Sequence, residues 1–334
     1  MTAAGPAPAV AARRWTNLVR AEAMRLLSRR FMVVMVAVLL GAFAVTLLTT
    51  VLSTHRPTAA EIAAAEGELE RHRRDMAEQL ALCREQAEQI PEYGDCSWAD
   101  PARFGVEDFL PGVFVFSASI EGLIFFLVGY LALFGFLVGA SYVGAELTSG
   151  GMTNLLLWRP ERTTVLATKL AILGAGVLVL SVVATAVYLS VFWTLAQVAG
   201  LPGDTGGTFW AALLQLCLRG FVLALVAAAL GFAVATLGRH TSAAVGLLAG
   251  YAVVWEIGAR IVLEVVRADT PGLWMLSTYI GAWMDGDVTV NRICLDGGCS
   301  GITITWQHAG VLLAVLLAAA LGAAFAAFRR RDLA

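Results

Sequence analysis

Six apolar runs of membrane-crossing length govern what this chain can fold into. They cover residues 31–52, 119–143, 165–198, 209–237, 241–262 and 307–328. An α-helix of about 20 apolar residues crosses the roughly 30 Å hydrocarbon core of a bilayer. Only 14% of the residues are charged, against about 25% in soluble domains. The charges fall in short clusters between the runs. The chain therefore reads as an all-α polytopic membrane protein with about six transmembrane helices. The first run is longer than the about 7–15 apolar residues of a secretory signal, so it reads as a retained span. The third is long enough to require tilting, projection or a break, for which Ser181, Thr185 and Gln197 mark places. A net charge of -2 offers no basic excess for nucleic acid.

Arginines orient the spans. Arg13, Arg14, Arg20, Arg25, Arg29 and Arg30 precede the first run, Arg159 and Arg162 lie between the second and third, and Arg239 lies between the fourth and fifth. The chain ends in FRRRDLA. Basic residues in short loops stay on the cytoplasmic side. Both ends are thus expected inside, in the multi-pass pattern of a bacterial cytoplasmic membrane protein. The lone lysine, Lys169, among 22 arginines reads as the composition of a GC-rich bacterium rather than as mechanism.

Between the spans the organisation is as follows. Residues 1–12 form an Ala/Pro-rich tail. Residues 13–30 have helical spacing of Trp15, Leu18, Val19, Glu22/Ala23, Leu26 and Leu27, with Arg20 and Arg25 on the polar side. This is the pattern of a basic amphipathic helix lying in the membrane plane. Residues 53–118 form a long extracytoplasmic segment. In it Ile62, Leu69, Met76, Cys83 and Ile90 recur every seven residues, with Leu80 and Ala87 between. That predicts a helix over about 58–90, bounded by Pro57 and Pro91. Residues 263–306 form a second outer segment. Its stretch 271–284 is apolar but too short to span, which predicts a re-entrant or interfacial helix, with Trp274, Tyr279 and Trp283 at headgroup level. Residues 329–334 form a basic inner tail.

Cys83, Cys96, Cys294 and Cys299 all fall in the outer segments, where an oxidising compartment favours disulfides. Local pairs, Cys83–Cys96 and Cys294–Cys299, are the simplest of three connectivities; pairing across the two segments would clamp them together. Cys217 lies in the fourth span as a small core residue. His55, His72, His240 and His308 are scattered and read as solvated or interfacial. There is no phosphate-binding glycine loop, no HExxH and no catalytic constellation, and no metal-ligand set. Three ionisable residues fall in or near spans: Glu121, Arg219 and Glu256. Such residues usually pair or face a cavity. Arg219 and Glu256 lie at similar depths and could pair; the alternative is that they snorkel to the headgroups.

The most informative stretch is residues 144–164, on the cytoplasmic side by the charge rule. It opens with Gly144 and Glu146, breaks at Thr148 to Gly151, and continues with a short apolar helix from Met152 to Trp158. Pro160 and Arg162 follow. In this order the stretch resembles the loop between the second and third spans of ABC-2 type exporter permeases. The resemblance rests on Gly144, Glu146, Gly150, Gly151, Leu155 to Leu157, Pro160 and Arg162; here the arginine follows the proline by two residues. It implies a coupling helix, with Leu155, Leu156 and Trp158 as apolar anchors, that docks on a separate ATPase subunit. It also implies that residues 13–30 are an elbow helix, including Trp15, Leu18, Glu22 and Arg25. The partners implied are two copies of an ATP-binding cassette ATPase, which would hold ATP and Mg, a second permease, identical or homologous, and lipid. The chain itself would carry no cofactor. The competing readings are a secondary transporter or channel, and a non-transport assembly or sensor subunit.

Overall fold

The computed structural model describes residues 20, 22–26, 28–89, 96–152, 161–290 and 301–330. Trp15, Leu18, Ile90, Leu155, Leu156, Trp158, Pro160, Cys294 and Cys299 lie outside the described residues, as do residues 1–12 and 331–334.

Six helices are long and apolar enough to cross a membrane: α1 (Arg30–Ser53), α3 (Phe116–Thr148), α4 (Arg162–Ala199), α5 (Gly207–Gly238), α6 (Thr241–Val265) and α8 (Trp306–Arg330). Two further helices are α2 (Ala59–Gln89) and α7 (Leu276–Asp285). The protein is an all-α polytopic membrane protein. Six crossings leave the Arg30 end of α1 and the Arg330 end of α8 on one side. We call this the arginine-rich end. The long connections containing α2 and α7 lie at the far end.

The bundle is built around α3 and α5, which approach closely because small residues line the contact. A Cβ at Gly135 would stand 2.8 Å from the Ala224 carbonyl oxygen, and one at Gly139 would collide with the Ala228 carbonyl. Lipid offers no hydrophobic drive between helices, so close backbone packing supplies the attraction. Phe134, Val138, Phe232 and Ala235 are buried around this seam. Helix α4 is unbroken over 38 residues, about 57 Å. Ser181 and Thr185 are buried within it rather than marking a break. The third run therefore projects beyond the hydrocarbon.

Helix α2 starts just after Pro57, at a capping pair. The Thr58 amide donates to Glu61 Oε2 at 2.7 Å, and the Glu61 amide donates to Thr58 Oγ1 at 3.3 Å. This reciprocal pair satisfies two first-turn donors. Its inner stripe is the one the heptad spacing marks, with Leu69 and Cys83 buried. Short 3-10 turns at Cys96–Ala99, Pro101–Arg103 and Val106–Phe109 pack on it. His72 is not a solvated residue: its ring meets Phe104 edge-on at 4.4 Å between centroids, with Phe109 beside it. A disulfide joins Cys83 to Cys96.

That bond closes a separation of 13 residues, for which loop-closure entropy gives about 3 kcal/mol. Replacing both cysteines with alanine should leave the six spans intact and raise protease cleavage within residues 59–110 by about a hundredfold, the factor that energy implies. Unchanged cleavage would mean the helical packing alone holds this module.

At the far end the sequence reading missed one element. Residues Asp287–Val290 (β1) pair antiparallel with Ile302–Thr305 (β2). Both strands are rich in β-branched residues, the composition that suits a pleated surface.

Candidate functional site

At the arginine-rich end, three segments meet on one buried cation. Lys169 sits two turns into α4 and is 0% exposed. Its Nζ lies 2.6 Å from Glu22 Oε2 and 2.7 Å from Glu146 Oε2. It also stands 4.9 Å from the centre of the Tyr142 ring. Tyr142 and Glu146 are one turn apart on α3, so both face α4. The Tyr142 hydroxyl donates to Glu22 Oε2 at 2.6 Å.

Glu22 belongs to a short helical stretch, residues 22–26, that precedes α1. Arg29 then takes an extended conformation before α1 begins. The amphipathic segment is thus offset from the first span instead of continuing it. Its Leu26 lies on α4 at Gly176, where an added Cβ would stand 3.1 Å from the leucine methyl. Gly176 is seven residues beyond Lys169, on the same helical face. This contact seats the stretch so that Glu22 reaches the lysine. Arg25 Nη1 donates to Glu22 Oε1 at 2.7 Å, on the more exposed side. Arg29 Nη2 donates to Glu146 Oε1 at 2.7 Å, and its Nη1 donates to the Ser141 carbonyl at 3.0 Å.

Burial works to raise the pKa of Glu22. Hydrogen bonds from Lys169 and Tyr142 and the charges of Lys169 and Arg25 outweigh it, and hold the carboxyl below its ordinary range. The cluster holds three cations against two carboxylates. A network like this contributes less to stability than its distances suggest, because desolvation offsets the attraction. What it secures is register. The pre-α1 stretch, the end of α3 and the start of α4 cannot shift independently without leaving a buried charge unpaired.

This corrects the reading of Lys169 as mere composition: it is the centre of the cluster. The signal available in the sequence was a lone ammonium about one turn inside an apolar run, which is costly unless paired. Tyr142 was missed as a participant, whereas Arg29, an arginine of the amphipathic segment 13–30, is the partner expected for Glu146. Glu22, Arg25 and Glu146 were singled out, and the structure brings them together. Glu146 is committed within the chain, to Lys169 and Arg29.

Beyond the cluster, α3 runs on to Thr148, so Gly144 and Glu146 are still helical. A Cβ at Gly144 would press on Thr241 at the start of α6, 2.6 Å from its amide nitrogen. Gly150 has φ +71°, the left-handed stop that ends helices and favours glycine. Gly151 follows it, and Met152 is buried. Arg162 opens α4.

At the far end, Arg219 and Glu256 do not pair with each other. Each is satisfied by the segment around α7. Arg219 Nη1 donates to the Met284 carbonyl at 3.0 Å, and its guanidinium lies 5.9 Å from the Trp306 ring centre. Glu256 accepts from the Tyr251 hydroxyl at 2.8 Å and from the Ser277 hydroxyl and amide at 2.8 and 3.0 Å. Similar depth did not bring the two side chains together because α7 lies between them. Glu121 borders a cavity of about 250 Å³ with Arg219 and Asp285. The Asp285 carboxyl is raised above its ordinary range by burial first, then by the charges of Glu121 and Asp287, with Arg219 opposing.

These features define a membrane-embedded helical bundle in which a buried ion cluster ties the short stretch before α1 to turns of two spans at the arginine-rich end. The chain belongs to the family described as protein of unknown function DUF2705, which it matches over residues 109–334. That match takes in Tyr142, Glu146 and Lys169 but begins after Glu22, Arg25 and Arg29. No curated protein matches the chain.

Proposed function

We propose that this chain is the membrane permease subunit of an ATP-driven exporter of the ABC-2 type, in a bacterial cytoplasmic membrane. The observation that carries this reading is the Lys169 cluster. It joins an interfacial stretch to both ends of residues 144–169, the loop that would rest on an ATPase. A force applied to that loop reaches α3 through Glu146, α4 through Lys169 and the pre-α1 stretch through Glu22. In this reading two copies of a separate ATPase hold ATP and Mg, and a second permease, identical or homologous, completes the membrane path. The apolar spans suit an amphiphilic or lipid-like substrate. No step of ATP hydrolysis falls on this chain.

Its orientation follows from the arginine-rich end facing the cytoplasm. The Cys83–Cys96 disulfide at the opposite end supports the same orientation, since such bonds persist in oxidising compartments. In a chain whose Cys294 and Cys299 are serine, Ala64→Cys should react with an impermeant maleimide in intact cells. Labelling only after the cells are opened would reverse the orientation and end the exporter reading. The class itself is tested by seeking an ATP-binding cassette ATPase in the reading frames beside this gene and co-expressing the two. Co-purification in lipid with ATPase activity raised by the membrane subunit is the expected result; a purified chain that never retains an ATPase refutes it.

A further inference from the structure

We propose that α7 is a strap strung between α5 and α6, and that a π-to-α change in α6 releases one end of it. The strap does not depend on the exporter reading. Helix α7 has 10 residues, about 15 Å, too short to cross the bilayer. Its two ends are held by opposite charges from two different spans. At its first turn the Leu276 amide donates to the Tyr251 hydroxyl at 3.2 Å, and the Ser277 amide and hydroxyl donate to Glu256. At its last turn the Met284 carbonyl accepts from Arg219. A carboxylate at the N-terminus and a guanidinium at the C-terminus both complement the helix dipole, and both satisfy backbone groups the helix leaves open.

The two ends are not held alike. On the α5 side, Arg219 stacks on Trp306, while the Trp283 indole donates back to the Arg219 carbonyl at 3.0 Å. Trp283 in turn lies against Gly310 of α8, where an added Cβ would stand 3.0 Å from the ring. That end is packed by two elements, α5 and α8. On the α6 side, the anchor lies in Tyr251–Ala259, a π-helical stretch with no buried residue. Tyr251 and Glu256 are five residues apart, one turn of a π-helix. In an α-helix, at 100° per residue, they would stand about 140° apart. The Tyr251–Glu256 pair, and with it the seat of the α7 N-terminus, exists only while this stretch stays π-helical. Its return to α-geometry separates the two side chains and frees the first turn of α7. The Arg219 end stays seated as the hinge.

The test is hydrogen exchange of the full-length chain in lipid nanodiscs, followed by mass spectrometry of the first and last turns of α7. Tyr251→Phe and Glu256→Ala should each speed exchange of residues 276–279 by about tenfold, the effect of losing one to two hydrogen bonds. Residues 282–286 should change by less than about twofold. Deleting Val253, which is exposed, removes the extra residue of the π stretch. Tyr251 and Glu256 then become neighbours on a regular α-helix. The clamp persists with no second geometry to relax into, so exchange of residues 276–279 should slow by about threefold. Unchanged exchange in Tyr251→Phe, or equal acceleration of both turns, would show that α7 is not a strap with separate ends. Faster or unchanged exchange after the deletion would show that the π stretch is not the release element.

Discussion

Lys169→Met should lower stability by about 3–5 kcal/mol, the usual result of removing one partner from a buried ion network. Glu22 and Glu146 would lose their shared cation. Arg25 and Arg29 each still bond one carboxylate oxygen, but the oxygens that face inward would be left without a charge partner. Purified protein in detergent, unfolded by heat and followed by tryptophan fluorescence, should melt well below the wild type. Glu22→Gln combined with Lys169→Met removes both buried charges and should recover part of the loss. A pair of melting curves that coincide with wild type would show that the cluster is not buried in the folded protein. The pH dependence has a fixed sign. The Glu22 carboxyl is held below its ordinary range, so its stabilising effect is present at neutral pH. It is lost as the pH falls below the carboxylate range and the folded-state carboxyl takes up its proton.

The architecture was readable because the bilayer imposes it. Backbone groups in hydrocarbon must bond within a helix, so each long apolar run has one outcome. The stripe of α2 was readable for a local reason: Leu69, Met76 and Cys83 repeat at helical spacing, and Pro57 marks the start. Gly150 ended α3 as a glycine with positive φ should. What escaped depends on partners distant in the chain. Lys169 meets Glu22, 147 residues away, and nothing in the local pattern of either names the other. Arg219 and Glu256 were compared only by depth, whereas their partners come from α7 and its first turn. The β1–β2 hairpin has strands of 4 residues, short enough for the alternation of DVTV and ITIT to pass as loop. The third run was given a possible break at Ser181 or Thr185. Those hydroxyls sit on a continuous helix instead, because a serine or threonine facing other helices does not interrupt the backbone ladder.

The second large effect concerns the loop that begins at Gly150. Glu146 is held by Lys169 and Arg29, so it is already engaged and does not serve a partner's arginine. Under the proposed exporter function, recognition by an ATPase would then fall on Leu155, Leu156 and Trp158, apolar residues of the segment that the charge rule places on the cytoplasmic side. Clustered apolar side chains outside the hydrocarbon mark a docking surface, and an aromatic anchor with leucines beside it can carry most of such an interface. Leu156→Ala together with Trp158→Ala should therefore cost at least about 2 kcal/mol of binding, roughly a thirtyfold loss of affinity for the ATPase subunit. ATP hydrolysis by the complex in lipid should fall with it. The melting temperature of the chain alone should stay within a few degrees of wild type, because the Lys169 cluster and the α3–α5 seam are untouched. That separation distinguishes this variant from Lys169→Met, which lowers melting first and binding as a consequence. Full ATPase retention and activity in the double variant, with normal expression, would show that this loop does not couple the chain to an ATPase, and the exporter reading would lose its main support in the sequence.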